Sequence, residues 1–173
     1  MPLHLLRINY RALGRVTPEP VAEPGCWRLY APCAEADAAA CQLLQHIAGM
    51  QSIRDRKAAL AALDKLVKVA ASGKPLPVFY DEKQCHDIHR FRHDGHEHVL
   101  WRIRNGDIRI VFHYGHHRLI LLTDALVKRK DKLSTAETSA LERQVKAFLD
   151  AEKAGSLSLF DVENPPDPPG ARP

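Results

Sequence analysis

The sequence predicts an α+β domain in which an N-terminal helical hairpin packs on an antiparallel β-meander and a further helix closes the fold. Three observations lead to this prediction. Apolar residues recur at helical spacing up to Gly73, and the period becomes alternating after Pro77. An Asn105-Gly106 pair separates two alternating segments, as in a tight hairpin. A capping box, formed by Ser134 and Glu137, opens the closing helix.

Two helices are predicted in the first half of the chain. The first covers 34–48, where apolar residues follow helical spacing and Gly49 provides a stop. The second begins after Ser52, a residue type that caps helix N-termini, and ends at Gly73. Its apolar stripe consists of Leu60, Leu63, Val67 and Ala70. Because the link between the two helices is short, we expect an antiparallel hairpin.

Strands and the closing helix occupy the second half. Short apolar or alternating segments predict strands over 27–31, 99–104, 108–114 and 118–127. The last three follow one another through short turns and therefore form the meander. The helix after Ser134 carries an apolar stripe that consists of Leu141, Val145, Phe148 and Leu149.

Composition limits the class of protein. The chain has 173 residues, 45% of them hydrophobic, which is enough for one packed domain. We divide it into an extension over 1–25, a domain over 26–155 and a flexible proline-rich tail over 156–173. The net charge of +4 is compatible with a polyanionic partner. Four cysteines without C-x-x-C spacing predict free buried thiols in a cytoplasmic protein, and the apolar runs are too short to span a bilayer.

The Asn105-Gly106 turn predicts which side chains share a face of the sheet. With a two-residue loop, Arg104 faces Asp107 and Arg102 faces Arg109. Side chains alternate along a strand, so the same face also holds Leu100, Val111, His98 and His113. The opposite face is wholly apolar and is predicted to pack on the helices. We therefore expect the face that carries the arginines to be exposed.

Paired arginines on a sheet indicate an anionic ligand. Like charges directly opposite each other destabilise a sheet, and the planar guanidinium group matches phosphate oxygens. The alternative is a solvated face on which the arginines pair loosely with carboxylates. A second basic run, Lys128, Arg129 and Lys130, joins the arginine face if the turn at Gly115-His116 has two residues. Otherwise it is an ordinary solvated charge run before a helix.

Histidines are concentrated in one part of the chain, with eight of the ten between residues 86 and 117. His98 and His113 share the arginine face and are predicted to transfer protons. His86 and His89 are an alternative pair on the loop that precedes the hairpin. We predict no metal site, because His86 and His89 lack the thiolate or H-E-x-x-H partners of a typical zinc site.

Two segments resemble a known family. The stretch 100–112, LWRIRNGDIRIVF, resembles the L-Y-E-L-R … Y-R-V-x-F hairpin of the RelE/ParE toxin superfamily, nearest its HigB-like, phage-derived branch. The stretch 119–130, LILLTDALVKRK, resembles the V-L-L-H-x-F-x-K-K-x element of that branch. The resemblance covers roughly 27–149 and implies a helical hairpin packed on a twisted antiparallel sheet. Arg102 departs from the pattern, since the family often has Glu there.

The resemblance implies the toxin of a type II toxin–antitoxin system: a cytoplasmic mRNA endonuclease that needs no metal or cofactor. Its partners would be mRNA, bound on or off the ribosome, and a cognate antitoxin. The predicted catalytic residues are Arg104, Arg109, His98, His113 and Lys128, and the predicted RNA-binding residues are Arg102, Arg129, Lys130, His86 and His89. Two alternatives remain: a non-catalytic inhibitor of a cellular target such as gyrase, and a phage-derived accessory protein that binds nucleic acid.

Overall fold

A seven-stranded mixed β-sheet forms the centre of the computed structural model, which describes residues 2–128 and 132–162. In chain order the strands are β1 (Leu3–Arg7), β2 (Arg28–Cys33), β3 (Cys85–His93), β4 (His96–Asn105), β5 (Ile108–Tyr114), β6 (Leu119–Val127) and β7 (Leu157–Phe160). The helices are α1 (Gln42–Ala48), α2 (Ile53–Ala71) and α3 (Thr135–Ala154), with short 3₁₀ helices at Ala38–Ala40 and Leu76–Val78. The spatial order of the strands is β3-β4-β5-β6-β2-β1-β7.

The fold is α+β, but the predicted N-terminal helical hairpin on an antiparallel sheet is wrong. Two strands precede the helices, and α1 packs on β2 and β6 while α2 packs on β5. The sheet is mixed because β2 pairs with β6, and β1 with β7, in the parallel direction. These pairings join segments that are distant along the chain. Turn residues and local periodicity indicate only pairing between strands that are neighbours along the chain, so neither predicts these pairings.

Helices cover both faces of the sheet. On one face α1 and α2 enclose a core with β4 and β5 that includes Leu63, Leu66, Ile110 and Phe112. On the other face α3 packs against the sheet. Its Leu141, Val145 and Phe148 form a buried cluster with Leu100 and Val111. The apolar face of the β4–β5 hairpin therefore packs on helices, as predicted. The prediction that its arginine face is exposed is wrong, because the amphipathic stripe of α3 covers most of that face.

Helix boundaries follow the capping residues. The Ser52 hydroxyl accepts a hydrogen bond from the Asp55 amide at the start of α2. Both bonds of the predicted capping box are present, since Ser134 and Glu137 each accept from the other's amide. The first helix begins later than predicted, at residue 42. Asp37 caps a 3₁₀ turn before it, and Cys41 then pairs with Cys33 in an isolated β-bridge.

The β4–β5 turn differs from the prediction by one residue in each strand. Asn105 pairs with Ile108, so the two-residue loop is Gly106-Asp107. Gly106 has φ 59° at the first central position, as in a type II′ turn, and the Asn105 amide group donates to the Ala58 carbonyl of α2. Because both strands shift together, every side chain keeps its predicted face. The like-charge pair is consequently Arg104 with Arg109, and Arg102 lies opposite Val111.

The ends of the chain belong partly to the sheet. Within the predicted extension, β1 pairs with β2, and within the predicted tail, β7 pairs with β1. Residues 163–173 lie outside the described residues. Among 2–128 and 132–162, no helix has both the length and the apolar character that crossing a membrane requires.

Candidate functional site

A cleft opens where β3, β4 and β5 meet the first turn of α3. Its volume is about 410 Å³. The lining residues are His86, Asp87, Ile88, Arg102, Arg109, Val111, Lys132, Leu133 and Thr138. Three of them are cations and one is a carboxylate, so the described part of the lining carries an excess of positive charge. A cleft of this size with positive walls is suited to an anionic ligand.

His86 and Arg102 form the polar centre of the cleft. The two residues are opposite each other in the β3–β4 register, so their side chains share a face. An Arg102 Nη2 donates to His86 Nε2 at 2.6 Å, and His86 Nδ1 lies 2.8 Å from the Asp87 carbonyl. A guanidinium group can only donate, so Nε2 must be the acceptor and the ring proton is on Nδ1. The His86 nitrogen that faces Arg102 is therefore the acceptor Nε2.

A β-bulge brings His86 into this position. The β3–β4 register shifts between Asp87 and His89, which leaves Ile88 as the extra residue. After the bulge His89 lies opposite Leu100, so His86 and His89 are on the same face although they are three positions apart along the chain. The prediction that both occupy a loop is wrong, because they are part of β3. His89 Nε2 is 3.5 Å from Glu142 of α3, away from the cleft lining.

Arg109 forms the floor of the cleft. Only 4% of the residue is exposed, and its Nη1 donates to the carbonyls of Gly106 (2.7 Å) and Ile108 (3.2 Å). These bonds tie the side chain to the β4–β5 turn and fix its direction. Arg109 thus adds a rigid positive charge beneath the more accessible Arg102.

Other predicted basic residues lie around this cleft or beyond the described residues. Lys128 Nζ is 2.6 Å from Glu137 Oε1, so its charge is paired with the carboxylate that caps α3. Arg104 is exposed beside the hairpin turn, with Nε 3.4 Å from the Gly106 carbonyl. Arg129 and Lys130 lie outside the described residues.

The predicted proton-transfer pair lies farther along the strands. His98 and His113 contact each other, with ring centroids 5.8 Å apart. His98 and Arg102 are four positions apart along β4, a distance of roughly 13 Å. His113 is buried, its ring lies against Phe148, and its Nδ1 is 3.1 Å from the Val99 carbonyl. The structure therefore brings His86, Arg102 and Arg109 together and leaves His98 and His113 outside that group.

Two residues of the cleft had no signal in the sequence. Thr138 belongs to the first turn of α3, and Asp87 precedes the bulge of β3. Both reach the cleft through long-range packing, which periodicity does not report.

Burial makes His113 sensitive to acid. Desolvation lowers the pKa of His113 below the usual histidine value of about 6.5, and neighbouring His98 and His116 act in the same direction. The unfolded chain therefore takes up the proton at higher pH than the folded chain. The contribution of His113 to the free energy of unfolding is therefore fully present above about pH 6.5. It is lost as the pH falls toward the lowered pKa of the folded state.

We expect His113→Asn to reduce the acid sensitivity of folding. Asn keeps a donor near the Val99 carbonyl but cannot be protonated. Urea unfolding at several pH values from about 7.5 to about 5.5 should show a smaller loss of stability in the variant than in the wild type. Equal pH dependence in the two proteins would show that His113 is not the group responsible.

No protein-family model, no curated protein and no solved structure matches this chain.

Proposed function

We propose that this chain is an RNA-cleaving toxin of a type II toxin–antitoxin system and that the cleft binds the scissile phosphate. One observation carries the proposal: Arg102 and Arg109 line one cleft, and His86 is hydrogen-bonded to Arg102. The resemblance of 100–112 and 119–130 to the RelE/ParE toxins supports it, because these segments include most of β4 and β5 and all of β6, and the first contains both arginines.

The two arginines suit a phosphodiester for physical reasons. Arg109 is held in place by carbonyl groups, so its charge is already oriented before a ligand arrives. Arg102 is half-buried and reaches the open part of the cleft. Fixed cations in a partly desolvated cleft stabilise the charge that grows on the phosphate oxygens during cleavage.

His86 supplies a base for the attacking hydroxyl. When a phosphate draws the Arg102 guanidinium away, His86 Nε2 becomes free to take the proton of the ribose 2′-hydroxyl. The 2′ oxygen then bonds to phosphorus, and the bond from phosphorus to the 5′ oxygen breaks. Lys132, which is exposed and lines the same cleft, is the candidate acid for the departing 5′ oxygen. The products are a 2′,3′-cyclic phosphate and a 5′-hydroxyl.

The remaining features of the proposal concern partners and location. The substrate is mRNA, on or off the ribosome, and a cognate antitoxin that presents acidic groups to the cleft would block it. The protein acts in the cytoplasm. These features follow from the motif resemblance and from the positive lining of the cleft.

Cleavage assays on purified protein test this function. We expect Arg102→Ala and His86→Ala each to slow mRNA cleavage about 100-fold, because one removes a phosphate donor and the other removes the base. Arg54→Ala is the matched control, since Arg54 is an exposed arginine on α2, across the sheet from the cleft. Arg109→Ala is less suitable, because the buried guanidinium also holds the turn.

Circular dichroism compares the fold of each variant with that of the wild type. The cleavage reaction is run both with and without ribosomes. If both cleft variants cleaved mRNA at the wild-type rate, the assignment of the site would be refuted.

A second candidate function is RNA binding without cleavage. It is favoured by the distance between the arginines and the His98–His113 pair, which leaves one histidine in the cleft. In that case the logarithm of the RNA affinity falls linearly with the logarithm of the salt concentration, and the RNA stays intact.

Growth arrest with intact mRNA and damaged DNA would instead indicate an inhibitor of a target such as gyrase.

A further inference from the structure

A second cluster of polar side chains lies at the opposite end of the sheet from the arginine cleft. The β3–β4 turn, the β5–β6 turn and the last turns of α3 meet there. They enclose a cleft of about 480 Å³. Histidines dominate its lining, which includes His93, His96, His98, His116 and His117. The proposed function uses none of these residues.

Within this cluster three ligand atoms converge. His93 Nε2 is 2.6 Å from Asp150 Oδ1 and 3.8 Å from Asp94 Oδ2. All three ligand atoms lie within 4.8 Å of one another. Asp94 is in the β3–β4 turn with φ 50°, and Asp150 lies on α3, 57 residues from His93 along the chain. The site is therefore assembled by the fold and could not be recognised from sequence spacing.

We propose that His93, Asp94 and Asp150 bind a Zn²⁺ ion. Zinc bonds to imidazole nitrogen and carboxylate oxygen are about 2.0–2.2 Å long, and a tetrahedral site then separates its ligand atoms by about 3.3 Å. The His93–Asp150 separation of 2.6 Å and the His93–Asp94 separation of 3.8 Å lie on either side of this value, so small side-chain rotations bring these atoms to zinc-ligand spacing. The ion takes the place of the hydrogen bond between His93 Nε2 and Asp150 Oδ1.

Neighbouring groups decide which ion is favoured. The histidines along the cleft offer imidazole as a further ligand, and imidazole selects zinc and similar ions over Ca²⁺ and Mg²⁺. Lys153 Nζ lies 3.6 Å from Asp94 Oδ2, but its side chain is 77% exposed and free to move into solvent. His116 pairs with Glu152 at 2.8 Å in the same cleft, so a second carboxylate–imidazole pair flanks the site.

Calorimetric titration of the full-length chain tests the site. After treatment with a chelator, the wild type is expected to bind one Zn²⁺ ion per chain and to bind Ca²⁺ at least tenfold more weakly. Asp150→Asn and His93→Ala should each weaken Zn²⁺ binding at least tenfold. Asp150 is largely exposed, so its variant should fold normally.

The matched control is His86→Ala, which removes a histidine at the other end of the sheet. It should keep wild-type zinc affinity while cleaving RNA about 100-fold more slowly, so failure of the zinc site and failure of the proposed function are distinguishable. Unchanged zinc affinity in both Asp150→Asn and His93→Ala would overturn the proposal. Equal affinity for Ca²⁺ and Zn²⁺ in the wild type would overturn it as well.

Discussion

Replacing Phe148 with alanine is expected to lower the free energy of unfolding by about 3–5 kcal/mol. Phe148 lies at the centre of the face that α3 covers, and none of its surface is exposed. Its ring packs near His113, and a Cβ added to Gly115 would come within 3.2 Å of its tip. His113 in β5 and Gly115 directly after it are held by backbone hydrogen bonds and cannot collapse into the cavity that alanine leaves, so the cost should be near the upper end of the range.

Chemical unfolding of the variant measures this loss. Ile53→Ala is the control, because it also removes a large apolar side chain from a helix but from a residue that is 62% exposed. That change should cost less than about 1 kcal/mol. If Phe148→Ala cost no more than the control, α3 would not form a core layer with the sheet.

Helices and the central hairpin were predictable because their signals are local. Ser52 and Ser134 are capping residues in both the sequence and the structure. The alternation around Asn105-Gly106 assigned each side chain to the correct face even though the turn shifted by one residue per strand. A register error of this kind keeps the parity of both strands, and parity alone determines the faces.

The second covered face was not predictable from periodicity. The apolar stripe of α3 showed that this helix must pack on something, but not on which surface. Leu100 and Val111 were the available hint, since two fully buried aliphatic residues alternate with the arginines. The parallel partners of β2 and β1 join distant segments, and no local pattern specifies such pairing.

The arginines of the candidate site were predictable as one group, whereas His86 was predicted to bind RNA from a loop and not as a member of that group. Arg102 and Arg109 followed from the strand alternation. His86 joined them because the bulge at Ile88 changes the parity of β3, and a bulge leaves no clear mark in a strand that is rich in charged residues. The His93–Asp150 contact depends on where α3 ends above the β3–β4 turn, which is a property of the whole fold.

Gly73→Ala is expected to destabilise the protein by about 3 kcal/mol, through two separate effects. Gly73 has φ 74°, and a residue with a Cβ pays roughly 1–2 kcal/mol in this left-handed conformation. A Cβ at this position would also lie 2.5 Å from the Pro24 carbonyl oxygen. That oxygen belongs to the backbone and cannot rotate away, so overpacking adds about 1–3 kcal/mol.

Gly155→Ala separates the two effects. Gly155 follows α3 as Gly73 follows α2, has φ 68°, and has no atom within 4 Å of the added Cβ among the residues that the structure describes. Its substitution should therefore show the conformational cost alone.

The segment around Pro24 is held at the end of α2 by the Glu23 and Trp27 amides, which donate to the carbonyls of Ala71 and Ala70. Equal losses of stability in the two variants, measured by urea unfolding, would mean that this segment does not pack against α2. A larger loss for Gly73→Ala would show that residues 23–27 form part of the folded domain.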